Sequence, residues 1–343
     1  MASESATQPT VPRIHAAIID DVLGRLGRVR TGEPVPVADS VRNDNYRVPT
    51  STGDLFVRIH RKDRSRERIL REQRVAAWAG EHGIPVFEPL AGPDGTTLWN
   101  SRSRWVSAYP FVAGRTLQRG AIDVAGAELL GALQGQLHAT LAAFPVEGMP
   151  ESSELTWDTE ASIALLSRVD DLIRYYPAPG ENRLRVQRGL RERLALLEGG
   201  EARPPSDFAA LPRQVTHGDF HERNVLLSED GRVLAVVDWE RASLAPRVFE
   251  LLRAIAFMQL WEPPLLDACL RGYRRSVRLE RDECELGVEM WWQHDLHNTW
   301  AFREVFIEGD SRVEPFLEQN AARLAVFRDR DFRRGLVRAL LGQ

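Results

Sequence analysis

Three oxygen-bearing side chains at fixed spacing carry the chemistry of this chain: Asp219, Asn224 five residues on, and Asp238 fourteen beyond that. An amide oxygen and a carboxylate at such a separation suit a hard, octahedral, oxygen-seeking cation such as Mg²⁺. A further carboxylate near the metal would take or orient a hydroxyl proton. Metal, positioned acceptor and little covalent chemistry are what phosphoryl transfer from a nucleotide requires.

Residues so far apart in the chain work together only if the fold brings them together. Val225-Leu226-Leu227 and the apolar run at residues 233–237 flank Ser228-Glu229-Asp230-Gly231. An apolar run, an Asp-Gly turn and a second apolar run predict a β-hairpin. That hairpin sets the loop before its first strand beside the residue after its second, so the three side chains converge on one end of the sheet. Acids merely solvated on a surface loop would leave the apolar hairpin between them unexplained.

The loop His217-Gly218-Asp219-Phe220-His221-Glu222-Arg223-Asn224, with Asp238-Trp239-Glu240 after it, resembles the catalytic core of the aminoglycoside phosphotransferase and choline kinase group, relatives of protein kinases. The resemblance implies an α+β, bilobal, protein-kinase-like fold: a small β-rich N-lobe over residues 1–112 and a larger, mostly helical C-lobe over residues 113–343. It makes Asp219 the catalytic aspartate, with His217 bracing the loop by hydrogen bonding. Asn224 and Asp238 become the metal ligands. Glu240 becomes a substrate-side or metal-side group, or a salt-bridge anchor for Arg241 or Arg253.

The N-terminal part offers the cation that such an enzyme needs on the phosphates. Asn45-Tyr46-Arg47-Val48 and residues 55–60 read as two strands about the turn Thr52-Gly53-Asp54. Arg58 sits where the group carries Lys or Arg on its third strand. Lys62 is the chain's single lysine among 45 basic residues, so arginine is almost forced, and a guanidinium grips two phosphate oxygens at once. Lys62 is the rival. Residues 67–80 read as an amphipathic helix, in which Glu72 matches the group's cation-pairing glutamate, with Glu67 as fallback. Ser40 stands in the expected phosphate-covering loop, which lacks glycine; a plain turn is the other reading.

Residues 104–109 read as a strand leading into Pro110-Phe111-Val112-Ala113-Gly114, which resembles the group's hinge. A purine there would meet the Pro110 carbonyl as acceptor and the Val112 N–H as donor; proline has no N–H to give. The alternative is an interlobe linker without ligand contact.

Length and composition fit a soluble globular protein long enough for two lobes or domains: 343 residues, 43% hydrophobic and 27% charged. A net charge of −4 argues against nucleic acid as partner. Cys269 and Cys284 have no metal-like spacing and read as buried thiols in a reducing compartment. The start lacks signal-peptide character, and no window approaches a membrane span, so the expected location is the cytoplasm.

Helices are expected at residues 14–30, at 124–144 with a leucine stripe, at 152–200 with a break at 177–180, and from Pro246 onward. His138 reads as a packed, hydrogen-bonded histidine. Beyond Trp261 the chain is helical and aromatic. Because Trp291 and Trp292 are adjacent on a helix, one of them is expected to face a groove, and Trp292 with Asp295 is assigned to the acceptor. Only seven residues separate Asp238 from Pro246, too few for a peptide-binding activation segment, so the acceptor is a small hydroxylated molecule. ATP or GTP is the donor and Mg²⁺ the metal. An antibiotic, inactivated by O-phosphorylation, is the first expectation. A metabolic kinase for homoserine, choline or a sugar is second, and a non-catalytic nucleotide-binding protein is the alternative of another class.

Overall fold

A computed structural model describes residues 11–37, 43–175 and 181–343; Ser40 and the break expected at residues 177–180 lie outside these. The chain packs as two compact units, residues 1–116 with 223–240, and residues 117–222 with 241–343. The first stretch thus runs slightly past the boundary expected after residue 112, and the metal-side hairpin belongs with it.

The first unit opens with α1 (Arg13–Arg25), β1 (Val35–Pro36), β2 (Asp44–Val48), β3 (Leu55–Ile59), α2 (Arg66–Glu81), β4 (Trp99–Ser101) and β5 (Arg104–Pro110). The strands form one antiparallel sheet in the order β1-β2-β3-β5-β4. Alternation does the sorting: Leu55, Val57 and Ile59 of β3 join Val106 and Ala108 of β5 in a core with Ile18, Ile19, Val22 and Leu23 of α1. Phe56 and Arg58 therefore point to the opposite face. Ser65 caps α2, its hydroxyl accepting from the Arg68 amide at 3.3 Å. Ile69, Glu72, Gln73, Val75, Ala76 and Ala79 line the buried side of α2, and it is this 3–4 residue spacing that carries the Glu72 carboxylate inward.

The second unit begins with α3 (Val124–Leu141), α4 (Thr159–Tyr175), α5 (Glu181–Glu198) and β6 (Gln214–Thr216). The chain then crosses to the first unit for β7 (Val225–Leu227) and β8 (Val233–Val236), the expected hairpin, with Gly231 at φ +82 in its turn. It returns to the second unit for β9 (Ser243–Ala245), which pairs with β6. α6 (Arg247–Met258), α7 (Pro263–Tyr273), α8 (Arg281–His297), α9 (Trp300–Phe306), α10 (Pro315–Phe327) and α11 (Arg330–Leu341) complete it.

Pro246 stands just ahead of α6, with φ −63 and ψ 130, and Gln259 in the left-handed region ends the helix. α3 and α7 approach almost backbone to backbone: a Cβ on Gly131 or Gly135 would strike the backbone of Cys269 or Tyr273, and one on Gly272 would strike that of Glu128.

Candidate active site

In the first unit, Arg58 lies on the face of β3 away from the apolar core. Its Nη1 is 3.6 Å from Asp238 Oδ1 and 3.8 Å from Glu72 Oε1, and its Nε donates to Asn45 Oδ1 at 3.3 Å. Burial works against its charge, but Asp238 and Glu72 outweigh burial and hold the guanidinium above its ordinary pKa. Glu72 is pushed up to about 7 by burial, against the pull of Arg58 and Arg64.

Arg64, which the sequence did not single out, donates to Glu72 Oε2 at 2.5 Å and pairs with Glu240 Oε1 at 3.0 Å. Glu240 also takes Arg61 at 3.2 Å and the Asn43 amide at 3.0 Å. This corrects the expected anchoring to Arg241 or Arg253: Glu240 is committed to cations of its own unit, so its assignment to substrate gives way to a bracing role. Lys62 is exposed in a turn past the end of β3 and does not share Arg58's strand face. Pro110 ends β5 opposite Leu55, and Val112 beyond it is exposed.

Arg58→Ala is expected to weaken nucleotide binding by roughly ten- to hundredfold, the size of a lost hydrogen bond to a charged group. Lys62→Ala should change it little. Nucleotide titrations of the two variants decide the point; a larger loss for Lys62→Ala would mean the strand assignment is shifted.

Asp238 is the second residue past the end of β8, at φ 64, a conformation that Asp and Asn tolerate better than most residues. The hairpin pairs Val225 with Val236, and the Val237 amide donates to the Asn224 carbonyl at 2.9 Å, so both expected metal ligands, Asn224 and Asp238, sit at the same end of the hairpin. Asp238 Oδ1 is buried without a hydrogen-bond partner, which is costly unless something else satisfies it. A divalent cation would. Among the described residues no group of three or more His, Cys, Asp or Glu side chains is placed to hold a metal unaided. One carboxylate and one amide oxygen suit Mg²⁺, which keeps waters and completes its shell with phosphate oxygens.

In the second unit, the loop after β6 is held from α6. Glu250 accepts from the Gly218 amide, and Arg253 one turn later donates through Nη2 to Asp219 Oδ1 at 2.7 Å. His138 supports Glu250 at 2.7 Å and meets the Tyr273 hydroxyl at 2.8 Å, the packed and hydrogen-bonded state expected of it. Gly218 has φ +79, and a Cβ there would collide with the Arg241 carbonyl, so no other residue fits. His217 is fully buried, its Nδ1 accepting from the Asp219 amide at 3.3 Å.

Burial alone would raise the Asp219 carboxyl; Arg253 foremost, then His221, Arg241 and His217, hold it well below the usual carboxylate range. His221 Nε2 lies 3.9 Å from Asp219 Oδ2, and burial pulls that imidazole down to about 4. Asp219 is therefore an ionised acceptor of hydrogen bonds beside a neutral histidine.

The phosphotransferase enzyme family matches residues 33–285. The chain belongs to that family. A homoserine kinase from Caulobacter sp. (strain K31) is 25% identical over 236 residues, covering 66% of this chain and 66% of that protein, so the match spans just under two thirds of its relative. A spectinomycin phosphotransferase solved with ADP and spectinomycin has a TM-score of 0.61 at 13% identity, over 93% of this chain and 96% of that one. A choline/ethanolamine kinase family protein from Mesorhizobium loti gives 0.54 at 20% identity, over 95% and 100%. The chain thus shares the α+β, kinase-like fold of aminoglycoside phosphotransferases and choline kinases.

Two residues expected at the acceptor need correction. Trp292 and Asp295 are buried, as is Trp291. α8 packs against α6, α10 and α11 and has buried residues from Glu283 to His297, so adjacent tryptophans face different neighbours. Trp291 packs on Phe249, Phe257 and Phe327, while Arg333 of α11 lies over Trp292. Asp295 Oδ1 accepts from Arg323 Nε at 3.0 Å, both groups buried.

Asp295→Ala should therefore destabilise and not retune acceptor binding. Leaving Arg323 buried and unpaired costs about 3–5 kcal/mol, a drop in Tm on the order of 10 °C for a unit of this size. Thermal unfolding with acceptor KM measured alongside checks this; an unchanged Tm with a raised KM would restore the acceptor assignment.

Proposed function

We propose that this phosphotransferase moves the γ-phosphoryl group of ATP or GTP, as its Mg²⁺ complex, to a hydroxyl of a small amine-bearing molecule in the cytoplasm. The observation that carries the reading is Asp219, a buried carboxylate kept ionised by Arg253 at the centre of the His-Gly-Asp loop. Such a group orients an acceptor hydroxyl and takes its hydrogen bond as the nucleophile forms. Arg58, fixed by Glu72, carries phosphate charge; Asn224 and Asp238 hold the metal, which supplies charge neutralisation to the phosphates. Ser40, Pro110 and Val112 remain the proposed contacts of the nucleotide.

The amine follows from the relatives: homoserine, spectinomycin, choline and ethanolamine all pair a hydroxyl with an amine or ammonium group. An antibiotic acceptor rests on the loop and on the spectinomycin enzyme's fold. A metabolic acceptor is favoured by the sequence matches, since a second relative, from Phenylobacterium zucineum, is also a homoserine kinase at 23% identity. A panel of aminocyclitol and aminoglycoside antibiotics, homoserine, choline, ethanolamine and amine-free sugars, screened for stimulated ATP and GTP consumption, separates the readings. Stimulation by amine-free sugars alone would overturn the amine-bearing class.

A further inference from the structure

Behind Asp219 stands a charged array that none of the sequence motifs includes. Glu154, on a short helical turn of residues Ser153–Leu155, accepts from Arg253 Nε at 2.9 Å through one oxygen and pairs with Arg241 through the other. Arg253 uses Nη2 for Asp219 Oδ1 at 2.7 Å, so a single guanidinium spans the two carboxylates. Both residues are largely or wholly shielded from water, with side chains 15% and 4% exposed.

Each is fixed by its surroundings. The Glu154 turn is tied to β9 by Ser152 N to Leu244 O at 3.0 Å and by Leu244 N to Pro150 O at 2.8 Å. Its backbone carbonyl meets His294 Nδ1 at 2.9 Å. Arg253 lies over the Phe257 ring at 4.4 Å. Two carboxylates this close to one guanidinium would repel each other without it, and a planar guanidinium admits few orientations once both edges are engaged.

We propose that Glu154 and Arg253 are positioning residues for the acceptor side of the reaction: Glu154 aims Arg253, and Arg253 fixes the plane and ionised state of the Asp219 carboxylate. Resting as it does on Asp219 being the group that orients the acceptor hydroxyl, the assignment explains why α6 holds the loop at two successive residues, Gly218 through Glu250 and Asp219 through Arg253. A misaimed carboxylate would lose the alignment on which an oriented attack depends.

The charged and titratable groups facing Asp219 are Arg253, His221, Arg241, His217 and Glu154. Removing Arg253 leaves its carboxyl buried with less positive charge nearby, so its pKa must rise. An ionised Asp219 is the working form, and activity is lost as pH falls through its pKa; without Arg253 the acid limb moves to higher pH.

The test uses Glu154→Gln, a near-isosteric change, and Arg253→Met in the full chain. In protein labelled with ¹³C at aspartate carboxyls, the Asp219 signal, identified by its loss in Asp219→Asn, should stay in the ionised position through the usual carboxylate range in wild type and titrate at higher pH in Arg253→Met. With MgATP and whichever panel acceptor gives the highest rate, Glu154→Gln should lower kcat about tenfold, with both KM values within about twofold, as loss of alignment without loss of binding requires. An Arg253→Ala variant should recover several-fold in rate on adding guanidinium chloride and none on adding sodium chloride.

An unchanged Asp219 titration in Arg253→Met overturns the proposal whatever the rates. Wild-type kcat in Glu154→Gln removes Glu154 from it. If the titration shifts as expected while Asp219→Asn still turns over, the positioning stands and it is the reading of Asp219 that fails.

Discussion

Asp219→Asn should abolish turnover while nucleotide affinity stays near wild type. The substitution keeps the shape of the side chain and removes its negative charge, so Arg253 and Arg241 face an amide where they held a carboxylate. The amide cannot accept the developing proton, and its NH₂ group competes for the position an acceptor hydroxyl needs. Loss of proton acceptance together with orientation costs on the order of a hundredfold or more in kcat. The proposed nucleotide-side residues are others, Arg58, Glu72 and Asp238, which pair among themselves. Steady-state rates and nucleotide titrations give both numbers; a variant retaining more than a tenth of the wild-type rate would falsify the assignment. Because Asp219 is held below the usual carboxylate range, its ionisation should not limit activity anywhere above the range of ordinary carboxylates.

Asp238→Asn and Asp238→Ala should remove the gain in nucleotide affinity that Mg²⁺ confers. The buried Oδ1 of Asp238 has no hydrogen bond, and its nearest cation, Arg58, stays 3.6 Å away. An oxygen in that state fits the proposed metal. Removing it takes away the only carboxylate of the proposed ligand pair. The ratio of nucleotide Kd without and with Mg²⁺ should fall toward one, a change of roughly tenfold or more if the metal bridges protein to phosphate. The asparagine variant keeps the backbone comfortable at φ 64, whereas alanine adds about 1–2 kcal/mol of conformational cost. Agreement between the two therefore assigns the effect to the lost charge. An undiminished Mg²⁺ enhancement in both would mean that another group holds the metal.

What could be read in the sequence was what local pattern encodes. The β7–β8 hairpin follows from two apolar runs about an Asp-Gly turn, and the inward placement of Glu72 follows from its spacing on α2. Partners distant in sequence could not be read. Glu154 and Arg253 are separated by 99 positions and Arg64 and Glu240 by 176, and no periodicity links them; Glu240 pairs with Arg61 and Arg64 and not with Arg241 or Arg253, which are nearer in sequence.

β6 and β9 are three residues each, too short to announce themselves. Trp292 and Asp295 were misplaced because adjacency of two tryptophans implies a groove only for a helix packed on one side. The polar signal at Glu250, one helical turn before Arg253 and inside the apolar stretch of α6 that follows Arg247, is the clue available for the loop's support.

The glycine seam between α3 and α7 makes the protein a candidate for conditional alleles. Gly135 abuts Tyr273, whose hydroxyl meets His138, which holds Glu250, which holds the Gly218 amide. A single methyl group at Gly135 would push Tyr273 away and reach the catalytic loop through three side chains without touching it. Such a change should leave a cell its enzyme at low temperature and withdraw it on warming. Laboratory evolution toward new acceptors, for the same reason, would best hold the codons for Gly131, Gly135 and Gly272 constant.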